Sequence, residues 1–289
     1  MLHHIRDDDH PMDIPSYLIK QTKTINKALD GFLPKKTEYP KTLHEAMRYS
    51  VFSGGKRIRP VFVLEACTAV GGDRKKVLPA ACAVEFIHNY SLIHDDLPCM
   101  DDDDLRRGQK TCHKKFNEET ALLAGDALLT LAFRVLSTVP KASSAEGFKR
   151  QLISASWIAE AIGSRGMVGG QAVDLECQDK DIELPTIDYI NMHKTGSLIA
   201  VCLRVGAYLG GGSKAEVQAL FRYGKYVGLL FQIVDDIIDR EGYAKSVGVP
   251  EARKQAEELL SKATKELVKF GRKSLILNQI ADFILTRNY

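Results

Sequence analysis

Two runs of aspartate carry the chemistry open to this chain: Asp95-Asp96-Leu97-Pro98-Cys99-Met100-Asp101-Asp102-Asp103-Asp104 and Asp235-Asp236-Ile237-Ile238-Asp239. Each closes an apolar segment patterned as a buried helix, where carboxylates are costly unless a cation neutralises them. Both runs are therefore expected to bind metal. Hard oxygen donors without clustered His or Cys favour magnesium over zinc. The first run leads directly into Leu105-Arg106-Arg107-Gly108, so a cation site adjoins guanidinium groups that hold anions. Together they suit a diphosphate, and a phosphorylated substrate is expected.

Spacing sharpens the second run more than the first. Asp235 and Asp239 are four apart and share a helix face, and Gln232 stands three residues before Asp235 on the same stripe. Gly224 and Gly228 precede them where another helix must come close. In the first run, Asp102 follows Asp95 by seven and would share its face on a straight helix, while Asp101 would lie roughly 120° away. Pro98 bends this segment, so Asp101 and Asp102 stand as alternatives. His88, seven before Asp95, points to the same cavity; His94 adjoins the run without an assignment. Gly54-Gly55-Lys56-Arg57-Ile58-Arg59-Pro60 reads as a basic turn whose Lys56 and Arg59 reach an anion. Lys194-Thr195-Gly196 interrupts a helical stretch, where an internal glycine costs about 1 kcal/mol relative to alanine. Such a break can turn a carbonyl towards a cation. Gly169-Gly170-Gln171 with Asp174 forms a further polar cluster.

The elements that must position these residues are helices. Apolar residues recur at helical spacing nearly throughout, and no series of alternating strands with hairpin turns is evident, so the fold class is all-α, a large helical bundle. Helices are expected over 42–53, from Pro60 to Gly71-Gly72, from Pro79 to the first aspartate run, and over about 118–137, 147–163, 187–209, 213–240 and 250–270, with one more before Tyr289.

Composition narrows the function classes. At 289 residues without a linker-like stretch, one domain over 12–289 is expected, and residues 1–11, rich in His and Asp, read as a tag-like or disordered extension. A net charge of +3, with basic and acidic residues interspersed, argues against nucleic acid as the main partner. Cys67, Cys82, Cys99, Cys112, Cys177 and Cys202 lie far apart with no CxxC pair, fitting thiols in a reduced, cytoplasmic protein. No apolar stretch is long enough to span a bilayer and no signal-like segment opens the chain, so a protein not embedded in membrane is expected.

Taken in order, GGKRIRP at 54–60, DDLPCMDDDDLRRG at 95–108, GD at 125–126, GQAVD at 170–174, KTG at 194–196 and FQIVDDIID at 231–239 resemble the trans-isoprenyl diphosphate synthase family from about Leu43 to the end. The resemblance implies a helical fold, usually homodimeric, whose central cavity joins an allylic diphosphate to isopentenyl diphosphate. It implies Mg²⁺, three ions per site, with Mn²⁺ as the alternative. On matching positions, Asp95 and Asp101 would be the principal metal ligands of the first motif, supported by Asp96, and Asp235 would lead the second, with Asp239 and Asp236 behind it. Lys56, Arg59, His88 and Arg107 would hold isopentenyl diphosphate; Arg106, Lys194, Thr195 and Gln232 would hold the allylic substrate.

The resemblance also bears on product length. Tyr90 lies five residues before Asp95, about 7.5 Å down a helix. In similar sequences a two-residue expansion of the first motif with an aromatic here goes with farnesyl diphosphate. Ideal helix angles put Ser91, not Tyr90, on the Asp95 face, so the inward ring is an implication of the resemblance. A farnesyl diphosphate synthase is expected, with geranylgeranyl diphosphate synthase as the nearest alternative and a non-catalytic regulatory subunit as one of another class. A terpene cyclase is disfavoured, because the second motif is DDxxD-like and lacks the Asn/Ser/Glu pattern. One departure stands out: only Arg240 to Val247 follows Asp239, where the family carries a longer Gly, Asp and Lys-bearing loop.

Overall fold

The first aspartate run sits at the end of α4 (Arg74–Asp95) and the second at the end of α11 (Lys214–Asp239), the two longest helices. In the computed structural model, residues 13–138, 144–178, 180 and 182–287 are described; the extension over 1–11 lies outside them. Before α4 come α1 (Ile14–Phe32), α2 (Lys41–Phe52) and α3 (Ile58–Ala69). A two-stranded hairpin, β1 (Leu105–Arg106) and β2 (Gln109–Lys110), leads to the short α5 (Cys112–Lys115), then α6 (Glu118–Leu136) and α7 (Ala145–Ile162). Next are α8 (Met167–Glu176), α9 (Leu184–Ile190), a π-helical turn over Asn191–Gly196 and α10 (Ser197–Leu209). After α11 follow α12 (Gly242–Val247), α13 (Val249–Leu267), a 3₁₀ stretch over Val268–Ser274 and α14 (Leu275–Thr286).

The expected all-α fold is the observed one. α3, α4 and α10 form the middle of the molecule, with α6 against α4 and α11 against both α10 and α13. α3 and α4 are buried on nearly every face, from Pro60 to Cys67 and from Ala80 to Ile87. That is why their apolar residues run on without a polar stripe. α11 differs: Ser213 caps it in a reciprocal box with Glu216, and its buried stripe of Val217, Leu220, Tyr223, Val227, Leu230 and Val234 leaves a polar face.

Two expectations need correction. Pro79 does not open α4; the helix begins five residues earlier under an Asp73 side-chain cap and carries Pro79 inside its first turns. At the sixth helical position Pro79 lies past the N–H groups that lack intrahelical partners, so the helix forgoes one bond there, to the Lys75 carbonyl. The helix expected over 187–209 is broken, as the Lys194-Thr195-Gly196 interruption foretold, into α9, the π-turn and α10. One short hairpin stands among the helices: Arg107-Gly108 makes a two-residue turn with both φ values positive, 55° and 75°, the geometry that suits a tight hairpin. The cysteines are unpaired, with Cys67, Cys82, Cys112 and Cys202 buried and Cys99 exposed.

Candidate active site

The α4 helix ends at Asp95 because Pro98 cannot continue it, and the chain folds into a turn closed by Asp101 N–H donating to the Asp95 carbonyl at 2.9 Å. This turn sends Asp101 and Asp102 to different sides. Asp102 takes a left-handed conformation, φ 50°, and its carboxylate stands 3.7 Å from His113 and 3.8 Å from Lys114, on the hairpin side. Asp101 instead lies near Asp95 and Lys194, whose charges act on it. Burial pushes the Asp95 carboxyl up to about 6, with Lys194 opposing and Asp101 adding to the rise.

Asp96 departs from its expected place. It is buried and takes the Arg106 guanidinium on one oxygen, at 2.6 Å from Nε and 2.5 Å from Nη2, while Asp103 takes Nη2 at 2.9 Å. Asp96 therefore orients Arg106 and does not face the cleft beside Asp95. Arg107, at the hairpin tip, donates from Nη1 to the Gly54 carbonyl at 2.7 Å and lies over Gly55. The hairpin thus docks the second arginine onto the basic turn. There Arg59 Nη1 is 3.2 Å from His88 Nε2. His88 is pushed well below its usual range by burial first and by Arg59 and Arg107 next, so its neutral ring accepts from Arg59. Lys56 lies over the Phe283 ring.

Arg57 has a different fate. Its side chain is buried and donates to Asn26 Oδ1 at 2.9 Å, Glu85 Oε1 at 2.7 Å and the Val51 carbonyl at 2.5 Å. It locks the basic turn to α1, α2 and α4.

On the second wall, burial pushes Asp235 up to about 6, with Asp239 and Asp236 adding and Arg287 and Arg59 opposing. Arg287 reaches it at 2.6 Å from beyond α14. Sequence reasoning missed Arg287, because it stands 52 positions after Asp235, just past the end of α14, where no local pattern marks the contact. Asp236 points its carboxylate elsewhere: it accepts from Gln232 Nε2 at 3.1 Å, Asn191 Nδ2 at 3.3 Å and Tyr243 N–H at 2.9 Å. It ties α11 to the π-turn and to the short segment after Asp239. Asp239 itself is exposed, and Lys245 lies exposed on α12.

The π-turn joins the walls. Thr195 Oγ1 donates to Gln232 Oε1 at 3.0 Å, and Lys194 Nζ pairs with Asp174 at 2.5 Å. Gly228 lets α11 come against Gly196, where an added Cβ would stand 2.8 Å from its Cα. Gly170 does the same for α8: a Cβ there would meet Lys194 N at 2.3 Å. Gly170→Ala is expected to push the π-turn aside, lowering kcat/KM about tenfold or more and stability by about 1–3 kcal/mol, read by steady-state kinetics and thermal melting.

Asp95, Arg59, His88, Lys194 and Thr195 line one cleft of ≈ 1200 Å³, solvent at its mouth included. Its deeper wall is apolar, with Leu92, Leu97, Met100, Met167, Val168 and Leu175. Both Tyr90 and Ser91 line it. Tyr90 is 6% exposed and packs edge-on against His94 at 5.7 Å. His94 lines the cleft as well, its Nε2 donating to the Leu122 carbonyl at 3.0 Å over Gly125.

A helical bundle that sets carboxylates, guanidiniums and a lysine at the mouth of an apolar cleft is built to bind a diphosphate ester by its head and enclose its hydrocarbon. The polyprenyl synthetase family model matches residues 40–266, and the chain belongs to that family. Its activity is that of a prenyltransferase acting on prenyl diphosphates. It is 41% identical, over 96% of its length and 78% of the relative's, to the heterodimeric geranylgeranyl pyrophosphate synthase large subunit 1 of Arabidopsis thaliana chloroplasts. It is 38% identical to a dimethylallyltranstransferase of Fischerella ambigua, over 96% of this chain and 84% of that one. The crystal structure of an FPP/GFPP synthase from Zymomonas mobilis superposes with a TM-score of 0.89 at 38% identity, covering 96% of this chain and all of the other. Among the described residues no helix is long and apolar enough to cross a membrane.

Proposed function

We propose that the chain joins dimethylallyl and then geranyl diphosphate head-to-tail to isopentenyl diphosphate and releases farnesyl diphosphate. The observation that supports this product length is Tyr90: its ring is buried in the cleft wall about one and a half turns before Asp95, from where it would limit a growing chain. The names of the relatives favour a second reading, geranylgeranyl diphosphate, and the reaction products separate the two.

The donor set suits Mg²⁺. Asp95 and Asp101 offer hard oxygens side by side, Asp235 offers another, and none of the three has a His or Cys companion. Among the described residues the carboxylates do not converge as a ready-made cage, which fits an ion that keeps its waters and takes its remaining ligands from substrate phosphates. Asp95, Asp101 and Asp235 would hold the ions. When bound, they would offset charge on the departing diphosphate.

In the proposed reaction the allylic C–O bond breaks heterolytically and the diphosphate leaves with the electron pair, held by Arg106 and Lys194. The Lys194 carbonyl and Thr195 hydroxyl steady the allylic cation, and the apolar wall keeps water from trapping it. Isopentenyl diphosphate, held by Lys56, Arg59, His88 and Arg107, attacks through its double bond. A proton then passes from the condensed product to the released diphosphate, so no side-chain base is needed. A homodimer fits the exposed apolar side chains of Leu123 on α6 and Phe148 and Leu152 on α7.

Incubation with the five-carbon substrates and magnesium, followed by chromatography of the dephosphorylated alcohols, is expected to give mainly farnesol. A dominant twenty-carbon alcohol would overturn the product assignment. Tyr90→Ala is expected to shift the majority product to twenty carbons or more at comparable turnover; an unchanged distribution would remove Tyr90 from the floor of the cleft.

A further inference from the structure

Behind the π-turn lies a second cavity, of ≈ 960 Å³ with its open mouth, that the condensation reaction does not use. Lys194 and Thr195 face the catalytic cleft, whereas Gly196 and Ser197 line this other side. Its remaining walls come from α7, α10 and α11. Arg204 is the centre: its guanidinium lies 3.6 Å over the Trp157 ring and 4.8 Å from the Phe221 ring. Lys225 approaches Phe221 from another side at 4.8 Å, and Arg165 joins them on the lining. Among the described residues none of these three cations has a carboxylate within salt-bridge distance, and Glu160 is the one acidic side chain on the walls.

Arg165 and Lys225 are exposed at the rim, Arg204 is half-buried beneath them, and the three set an excess of positive charge over Glu160 beside two aromatic rings. Burial pushes Arg204 down from its ordinary range, with Glu160 opposing weakly, so the group stands to gain from an anion. Its guanidinium lies over the Trp157 ring and makes no hydrogen bond among the described residues, so its N–H groups are available to oxygen acceptors, as where arginine binds phosphates. The rings of Trp157 and Phe221 offer apolar area to whatever carries the anion. From this juxtaposition we propose that the cavity is a second binding site for a diphosphate ester, its phosphates on Arg204, Arg165 and Lys225 and its organic part along Trp157 and Phe221. The site is independent of which prenyl product the catalytic cleft makes. An isoprenoid diphosphate and a nucleoside diphosphate share the required chemistry.

Trp157 is the chain's single tryptophan, so its emission reports this cavity directly. Farnesyl diphosphate and ADP are titrated separately, in EDTA, into the full chain carrying Asp95→Ala and Asp235→Ala, which removes metal-held diphosphate binding in the catalytic cleft. A saturable change in Trp157 emission with one of them is expected, the responding ligand identifying the source. Adding Lys225→Ala, which leaves the Trp157–Arg204 stack in place, is expected to weaken that response at least tenfold, as is Arg204→Met. No saturable change with either ligand, or a response of equal affinity in both of these variants, would overturn the proposal. A response present in the wild-type chain but lost on substituting Asp95 and Asp235 would place the ligand in the catalytic cleft and overturn it as well.

Discussion

Asp95→Asn is expected to lower kcat at least about 10³-fold while the metal-free protein becomes more stable. Removing one preorganised group that offsets transition-state charge costs about 10²–10³ in rate, and Asp95 is proposed to hold an ion that acts on the leaving diphosphate directly. The stability effect has the opposite sign. The Asp95 carboxyl titrates at about 6 in the fold against an ordinary value of 3.8, chiefly because it is buried. A carboxyl with a raised folded value is destabilising where it is ionised; the cost begins near pH 4 and is complete above pH 6. Neutral Asn avoids it. Melting in EDTA should therefore show the variant more stable than the wild type at pH 7, by about 1–2 kcal/mol, with the difference vanishing near pH 4. Activity retained within tenfold would remove Asp95 from the metal site. A variant less stable than the wild type at pH 7 would show that the buried charge already has a partner.

Arg57→Met is expected to cost about 3–5 kcal/mol of stability, the largest effect of any single substitution considered outside the cleft. Arg57 and Glu85 are 3% and 2% exposed, and the substitution leaves the Glu85 carboxylate buried with only Asn89 Nδ2 at 3.4 Å as a side-chain donor. Asn26 and the Val51 carbonyl lose their partner at the same time. Thermal melting reads the loss, roughly 10 °C in a chain of this size. Adding Glu85→Leu removes the stranded charge and should restore much of it. If the single substitution melts within a degree or two of the wild type, water or another donor already serves Glu85.

The helical class was legible because period and burial agree: α3, α4 and α10 are apolar in sequence for the same reason that they occupy the middle. Element ends were legible where a side chain enforces them, as Gly54-Gly55 does after α2 and Ser213 before α11. The first residues of α4 were misread because Pro79 satisfies helix-start chemistry without standing at the start. α8 escaped notice because Gly169 and Gly170 interrupt its apolar residues, whereas α1 carries a helical stripe of Ile14, Tyr17, Leu18, Ile25 and Leu29 that was legible and missed. The hairpin at Leu105–Lys110 escaped because two-residue strands carry no alternation; the Arg107-Gly108 turn was its one local mark.

By itself the sequence determined the helical bundle, the two carboxylate runs with their attendant arginines, and the break at Lys194-Thr195-Gly196. These follow from residue type and local spacing, which act over one or two turns. Only the tertiary structure decided that Asp101 and not Asp102 stands by Asp95, since the turn after Pro98 sets that direction. Likewise it decided that Asp96 serves Arg106, that Asp236 ties the π-turn to α11, that Arg57 is a buried brace, and that Arg287 reaches Asp235. Each of these depends on where a charged group finds its partner once water is excluded. Such partners come from distant parts of the chain, so the choice belongs to packing.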